Sequence, residues 1–322
     1  MNKTSVDNAI MQIIRYNKTF KSDWDRFVEE SKNGTFLFKR DYMDYHSARF
    51  QDNSYLIFQN NSLIALFPAC AEDNILYSHG GLTYGGLIMG NKATTETVLQ
   101  IFELLKIEAV KQGFLTLIYK PVPHIYHRLP AEEDLYALFR NTCTLASRAV
   151  SSTVYQKDRL KFRDIRKSGI RKARKFGINI EESLDFECFW EILSENLQNK
   201  YERKPVHSLA EITSLASLFP ENIKLFLAKK DNATLAGTVL FITPKVVHSQ
   251  YITASPEGKE HGALDLIFDF LLNEKYADKE YFDFGISTED GGRYLNGSLI
   301  YQKEGFGGRA ICYDSYEIDL TK

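Results

Sequence analysis

Apolar residues recur at three- and four-residue spacing in several stretches of the chain. Val98, Ile101, Phe102, Leu105 and Ala109 form one such stripe, which predicts a helix over Thr94–Gln112 stopped by Gly113. Phe186, Phe189, Trp190, Leu193 and Leu197 form another, behind Asp185 as a cap. Ile212, Leu215 and Leu218 follow Ser208 and Glu211, which have the spacing of a capping box. Leu264, Ile267, Phe268 and Leu271 predict a helix over Gly262–Tyr276. Trp24, Phe27 and Val28 predict a short one capped by Ser22, and Glu132–Leu145 reads as helical. Between these lie runs of strand length: Ser54–Gln59, Ser62–Cys70, Ile75–Ser78, Phe114–Tyr119, Ser147–Gln156, Ile178–Glu182, Ile223–Lys229, Leu235–Thr243, Val246–Thr253 and Tyr281–Ile286. Asn60-Asn61 marks a two-residue hairpin between the first two.

The two halves repeat one order of elements. Each runs from a helical lead through three antiparallel-type strands, a glycine-bearing turn and an amphipathic helix to a buried strand. The fold class predicted is α/β in the α+β sense, with two tandem units, each a mixed, mostly antiparallel sheet flanked by helices. The units are expected over 1–156 and 157–322, with a last strand that could return to the first unit.

At 322 residues the chain has room for two such units, and 44% hydrophobic with 25% charged residues suits a globular protein. No run of 18 apolar residues is present, so no membrane span is expected. The first twenty residues lack a secretory core, and a cytoplasmic location follows as an expectation. Cys70, Cys143, Cys188 and Cys312 are far apart and without C-x-x-C spacing, so neither a disulfide framework nor a metal site is predicted. Charge alters the picture locally. The net charge is -2, yet Lys157–Lys175 holds ten basic and two acidic residues, a local +8 that leaves -10 for the remainder. The run Phe162–Phe176, ended by Gly177, reads as a basic helix suited to an anionic partner, although a solvated helix face would have the same composition.

Several constellations could carry chemistry. Thr253–Ala263 places Gly258 and Gly262 ahead of a helix, where exposed N–H groups favour an anion. A turn that merely needs glycine would look alike. His79–Gly86 is a glycine-rich turn containing Tyr84, and Arg203, Lys204 and His207 surround Pro205 in a polar loop. Asp283, Glu289 and His248 are candidate proton acceptors. Lys303-Glu-Gly-Phe-Gly307 closes the series.

The order of three strands, glycine turn, helix and strand resembles the GNAT acyltransferase core, in which the turn cradles the pyrophosphate of acyl-coenzyme A. The usual Gln/Arg-x-x-Gly-x-Gly/Ala is not met here, since Gly258 and Gly262 are four apart. Two such units, a basic helix in Ile165–Ile180 and a Lys-x-x-Phe-Gly element resemble the FemABX family and its FemAB/CelD-like relatives. The resemblance spans most of the chain as element order, with its motifs in Ile165–Ile180, Tyr281–Ile286 and Tyr301–Gly308.

The resemblance implies an N-acyltransferase that takes an acetyl or longer acyl group from acyl-CoA (acetyl-CoA) to an amino group of a cell-envelope or polysaccharide precursor, an anionic substrate. FemABX members instead move amino acids from aminoacyl-tRNA onto cell-wall precursors, and this chain lacks the long helical hairpin some of them carry. A non-catalytic binding protein built of degenerate GNAT units is a third reading. Lys303 is the catalytic residue implied, with Asp283, Glu289 or His248 as base. Tyr251, Ile252 and Thr253, with Gly258, His261, Gly262 and Ala263, would hold the cofactor, and no metal is implied. His79, Tyr84, Arg166, Lys204, His207 and Phe306 would meet substrate.

Overall fold

The structure is a computed structural model and describes residues 10–201 and 204–322; Arg203 lies outside them. The chain divides into two compact units, one running to Arg148 and including Tyr313–Lys322, the other Ala149–Cys312. Both mix helices with mostly antiparallel strands.

The first unit contains β1 (Met11–Arg15), α1 (Lys21–Glu30), β2 (Tyr55–Gln59), β3 (Ser62–Phe67), β4 (Cys70–Glu72), β5 (Ile75–Tyr77), β6 (Ile88–Met89), α2 (Thr95–Lys111), β7 (Thr116–Tyr119) and α3 (Glu133–Arg140). Strands β1, β2, β3 and β6 form one antiparallel sheet in that order. A second sheet pairs β4 with β5, β5 in parallel with β7, and β7 with the end of the C-terminal strand Arg309–Asp319. The hairpin at Asn60-Asn61 is present, both residues having left-handed φ, as its short turn requires. The predicted strand Ser62–Cys70 is in fact two. Pro68, which has no N–H to give a ladder, follows β3, and Cys70 opens β4 in the other sheet. Helix α2 buries Val98, Ile101, Phe102, Leu105 and Ala109 in the unit's core, as its stripe predicts. Helix α1 begins at Lys21 without a side-chain cap, so Ser22 does not cap it. Helix α3 stops at Arg140, short of the predicted Leu145, because the chain turns through a left-handed Thr142 into β8 (Thr144–Tyr155).

In the second unit follow α4 (Asp164–Phe176), β9 (Asn179–Ser183), α5 (Phe186–Tyr201), α6 (Leu209–Leu218), β10 (Ile223–Lys230), β11 (Ala233–Ile242), β12 (Val246–Ala254), α7 (Pro256–His261), α8 (Ala263–Phe270), β13 (Tyr281–Ile286) and α9 (Gly297–Glu304). The sheet order is β9-β10-β11-β12-β13-β8, antiparallel except for β12 and β13. Asp185 and the Ser208–Glu211 capping box start α5 and α6 as predicted. Two departures bear on the site. The expected turn before the last long helix contains a helix of its own, α7, and Gly262 in left-handed φ separates it from α8. The chain then continues as one wide π-helical turn, Leu271–Lys275. Second, the parallel ladder of β12 with β13 ends at His248 and Asp283, and the β11–β12 ladder bulges at Gln250, between the partners of Val239 and Leu240.

Candidate active site

Strand β13 alternates. Phe282 and Phe284 point into the core, with ring centroids 6.0 and 4.9 Å from Phe268 of α8. The two-residue period therefore turns Asp283 to the other face, where it is fully buried. Burial of a lone carboxylate is costly and pushes its pKa up. The neighbouring strands offset that cost. Ser151 and Thr153 of β8 both donate to Asp283 Oδ1, Thr153 at 2.7 Å. His248 of β12 meets Oδ2 through Nδ1 at 2.7 Å. Desolvation is the largest single influence on Asp283, but the imidazole and the two hydroxyls together outweigh it and hold the carboxyl below its ordinary value. An ionised Asp283 assigns the proton of a neutral His248 to Nδ1 and leaves Nε2 as an acceptor. The histidine keeps 12% of its side-chain surface exposed, while Asp283 keeps none.

Two residues along, Gly285 has a left-handed φ of 76°, and a side chain there would come within 3.3 Å of the His248 ring. Its position is held from α9. Lys303, itself buried, donates to the carbonyl oxygens of Gly285 at 2.8 Å and Ile286 at 2.7 Å. Burial lowers the Lys303 pKa to about 8, against the opposing field of Asp283. Phe306, just beyond α9, is buried among Phe284, Phe268 and Phe162. Arg166 lies 5.5 Å over the Phe306 ring and pairs with Asp265 at 2.6 Å. Lys303 joins the Asp283–His248 pair through the end of β13, whereas Phe306, with Arg166 over its ring, packs on the Phe284 side of that strand.

The other residues singled out from the sequence are dispersed. Glu289 accepts from Asn296 at 3.3 Å inside a two-stranded ribbon, Thr288–Glu289 with Tyr294–Leu295. Tyr251 meets His207 Nδ1 at 2.5 Å and packs edge-on against Trp190, so His207 is a buried partner of β12. Thr253 accepts from Asn196 at 2.9 Å, Ile252 is half-buried, and Lys204 is exposed. In the first unit His79 is buried, with burial pulling its pKa down to about 3, and Tyr84 is buried with its hydroxyl on Thr35 at 3.2 Å.

The start of α8 is covered and offers no open anion site. Helix α4 lies across the start of α8 there. A Cβ on Gly262 would stand 2.6 Å from the Gly169 carbonyl oxygen, and one on Gly169 would stand 1.8 Å from Asp265. Phe176 stacks on His261 at 3.5 Å, Ala263 is fully buried, and Gly258 packs on the Leu235 carbonyl. The glycines serve helix crossing, and the Arg166–Asp265 pair sits where an anion would approach the helix start. Among the described residues no group of three or more His, Cys, Asp or Glu side chains is arranged to hold a metal.

Ser151 and Thr153 were not foreseen from the sequence as site residues. Their signal is a polar Ser-Ser-Thr inside a predicted strand, which becomes meaningful once β8 is known to pair with β13.

No protein-family model matches the chain, and no curated protein sequence matches it. Solved structures do. FemX is 12% identical, over 96% of this chain and 97% of that one, with a TM-score of 0.69. L-PGS from Bacillus licheniformis is 11% identical, over 94% and 92%, at 0.62. A tandem GNAT protein from the clavulanic acid biosynthesis pathway, determined without AcCoA, is 9% identical, over 97% and 99%, at 0.51. The chain has a FemX-like, tandem GNAT fold.

Proposed function

We propose that the protein is an acyl or aminoacyl transferase that acylates an amino group, using an ester of tRNA as donor in preference to a coenzyme A thioester. The observation that carries this reading is the buried, ionised Asp283 aligned with the mostly buried imidazole of His248 beside the end of the β12–β13 ladder. The choice of donor is supported by the helix crossing at Gly169 and Gly262, which closes the start of α8 to an anion. The resemblance put acyl-CoA first, although the spacing of Gly258 and Gly262 already departs from the coenzyme A loop.

In the proposed reaction the amine adds to the ester carbonyl carbon as His248 Nε2 takes its proton, and Asp283 stabilises the imidazolium formed. The C–N bond forms, the C–O bond to the ribose oxygen breaks, and the same proton passes from His248 to that oxygen. The β12 backbone beyond His248 no longer pairs with β13, and N–H groups of that segment are the proposed oxyanion donors. Lys303 positions the end of β13 through two of its N–H groups; the third is offered to a donor phosphate or the oxyanion. The acceptor proposed is an amino group of a cell-envelope or polysaccharide precursor. It follows the FemX-like fold.

Charged tRNA and acyl-CoA, each labelled in the acyl group, test this against a panel of amines. Label transfer from charged tRNA that is lost in His248→Ala is expected. Transfer from acyl-CoA at equal rates in both proteins, or transfer from neither donor, overturns it.

A further inference from the structure

A separate feature of the second unit is unused by this chemistry. A cavity of about 490 Å³ lies between the 159–162 segment, α4 and the chain around the end of α8, lined by Arg159, Lys161, Phe162, Lys167, Arg171 and Arg174, with Leu160, Ile170, Asp269 and Asn273 completing it. Five cations and one carboxylate give it a charge of +4. It is the concave part of the segment that holds +8 in a chain of net charge -2.

The five cations are not equivalent. Arg159 is tied to the Leu272 carbonyl at 3.1 Å and to Asn273, and Arg174 to Asp269 at 2.7 Å, so these two shape the wall. The side chains of Lys161 and Arg171 make no hydrogen bond or salt bridge among the described residues, and both residues are exposed. Lys167 meets only Asp164, whose side chain is 97% exposed, an arrangement that holds it weakly. Three cations are therefore available above an apolar surface of Leu160, Phe162 and Ile170. That combination matches a phosphate joined to a flat, weakly polar group: arginine and lysine take the oxygens, and an aromatic ring stacks. The volume lies within the roughly 300–1,000 Å³ of small-molecule pockets. A concave site of this size suits a single nucleotide better than a flat anionic membrane surface.

We propose that this cavity binds a nucleoside phosphate, with the phosphate on Lys161, Lys167 and Arg171 and the base against Phe162 and Ile170. The cavity also has a physical link to the Lys303 turn. Phe162 packs edge-on against Phe306 at 5.4 Å, and the Arg163 N–H donates to the Gly305 carbonyl at 2.8 Å. Occupancy of the cavity would thus be felt at the segment that carries Lys303. The inference does not depend on the transfer reaction, because binding is measured without turnover.

The experiment is equilibrium titration of the full chain with AMP, ATP, adenosine and inorganic pyrophosphate, at two salt concentrations. AMP and ATP are expected to bind more tightly than adenosine or pyrophosphate, and less tightly at high salt. Arg171→Gln and Lys161→Gln, both exposed and removed from the packed core, should each weaken AMP by about tenfold. Coenzyme A displacing AMP would identify a free nucleotide carrier as the source; a short single-stranded oligoribonucleotide binding more tightly than AMP would identify an RNA end. Equal affinity for adenosine and AMP, indifference to both substitutions, or binding to anionic phospholipid vesicles without binding to nucleotides overturns the proposal.

Discussion

Asp134 in the first unit and Asp283 in the second are both deeply buried, and the two have opposite fates. Asp134 in the first unit accepts from the Tyr119 hydroxyl at 2.7 Å and from its neighbour's N–H at 2.9 Å. Burial dominates there, and with Glu132 and Glu133 nearby the pKa rises to about 7. Asp283 in the second unit has two hydroxyls and an imidazole, and its pKa falls. Equal burial thus yields a carboxyl partly neutral at pH 7 in one unit and an ionised carboxylate in the other. What separates them is a partner that can become a cation. A hydroxyl bonds the charged form without adding charge, whereas His248 can answer the negative charge directly. Asp134 reads as part of the packing around Tyr119, and Asp283 as an orienting group.

The largest consequence is catalytic. Asp283→Asn or His248→Ala should lower transfer by about 10²–10⁴-fold, the usual contribution of a positioned base; initial rates with the tRNA ester donor measure it. Activity within a few-fold of the native rate in both variants would remove the distinction between the two aspartates.

Next is stability against pH. The folded pKa of Asp134 lies above its unfolded value of 3.8, so its contribution is full at low pH and is lost as pH rises through about 7. Denaturant unfolding should show the native protein losing on the order of 4 kcal/mol more than Asp134→Asn between pH 4 and pH 8, with activity unchanged in the variant. Asp283 has the reverse sign. Its contribution is present above the unfolded pKa and is lost as pH falls through the lowered folded value.

A smaller effect tests the hydroxyls. Thr153→Val removes a hydrogen bond to a buried charge and should cost about 1.5–3 kcal/mol, while moving the acid limb of the rate profile upward. Smallest is the lysine. The Lys303 ammonium is present below pH about 8 and lost above it, so the native rate should fall on the alkaline side of that value. In Lys303→Arg the alkaline limb should move upward, because guanidinium stays protonated. An unmoved limb would show that Lys303 does not set it.

Much of the fold could be read from the chain. The α2 stripe, the Ser208–Glu211 capping box, the Asn60-Asn61 turn and the basic helix ended by Gly177 all appear in the structure. His248, Asp283 and Lys303 were legible as titratable residues in plausible places. Their arrangement was not. Ser151 and Thr153 lie 132 and 130 residues from Asp283 in sequence and meet it through strand pairing. The glycine turn left two readings open for a similar reason, since a glycine that exposes N–H groups to a ligand and one that admits a crossing helix are alike in one dimension.

Local order rests on hydrogen bonds and side-chain spacing within a few residues, so composition and periodicity were enough for the α2 stripe, the Asn60-Asn61 hairpin and the Ser208–Glu211 cap, though not for every helix boundary. The charge state of a buried carboxyl depends on whatever lies within a few ångströms in space, and the openness of a helix start depends on whichever element packs over it. Those neighbours come from distant parts of the chain. Only the folded arrangement decided that Asp283 is ionised beside His248, that Asp134 is not fully so, and that α4 covers the start of α8.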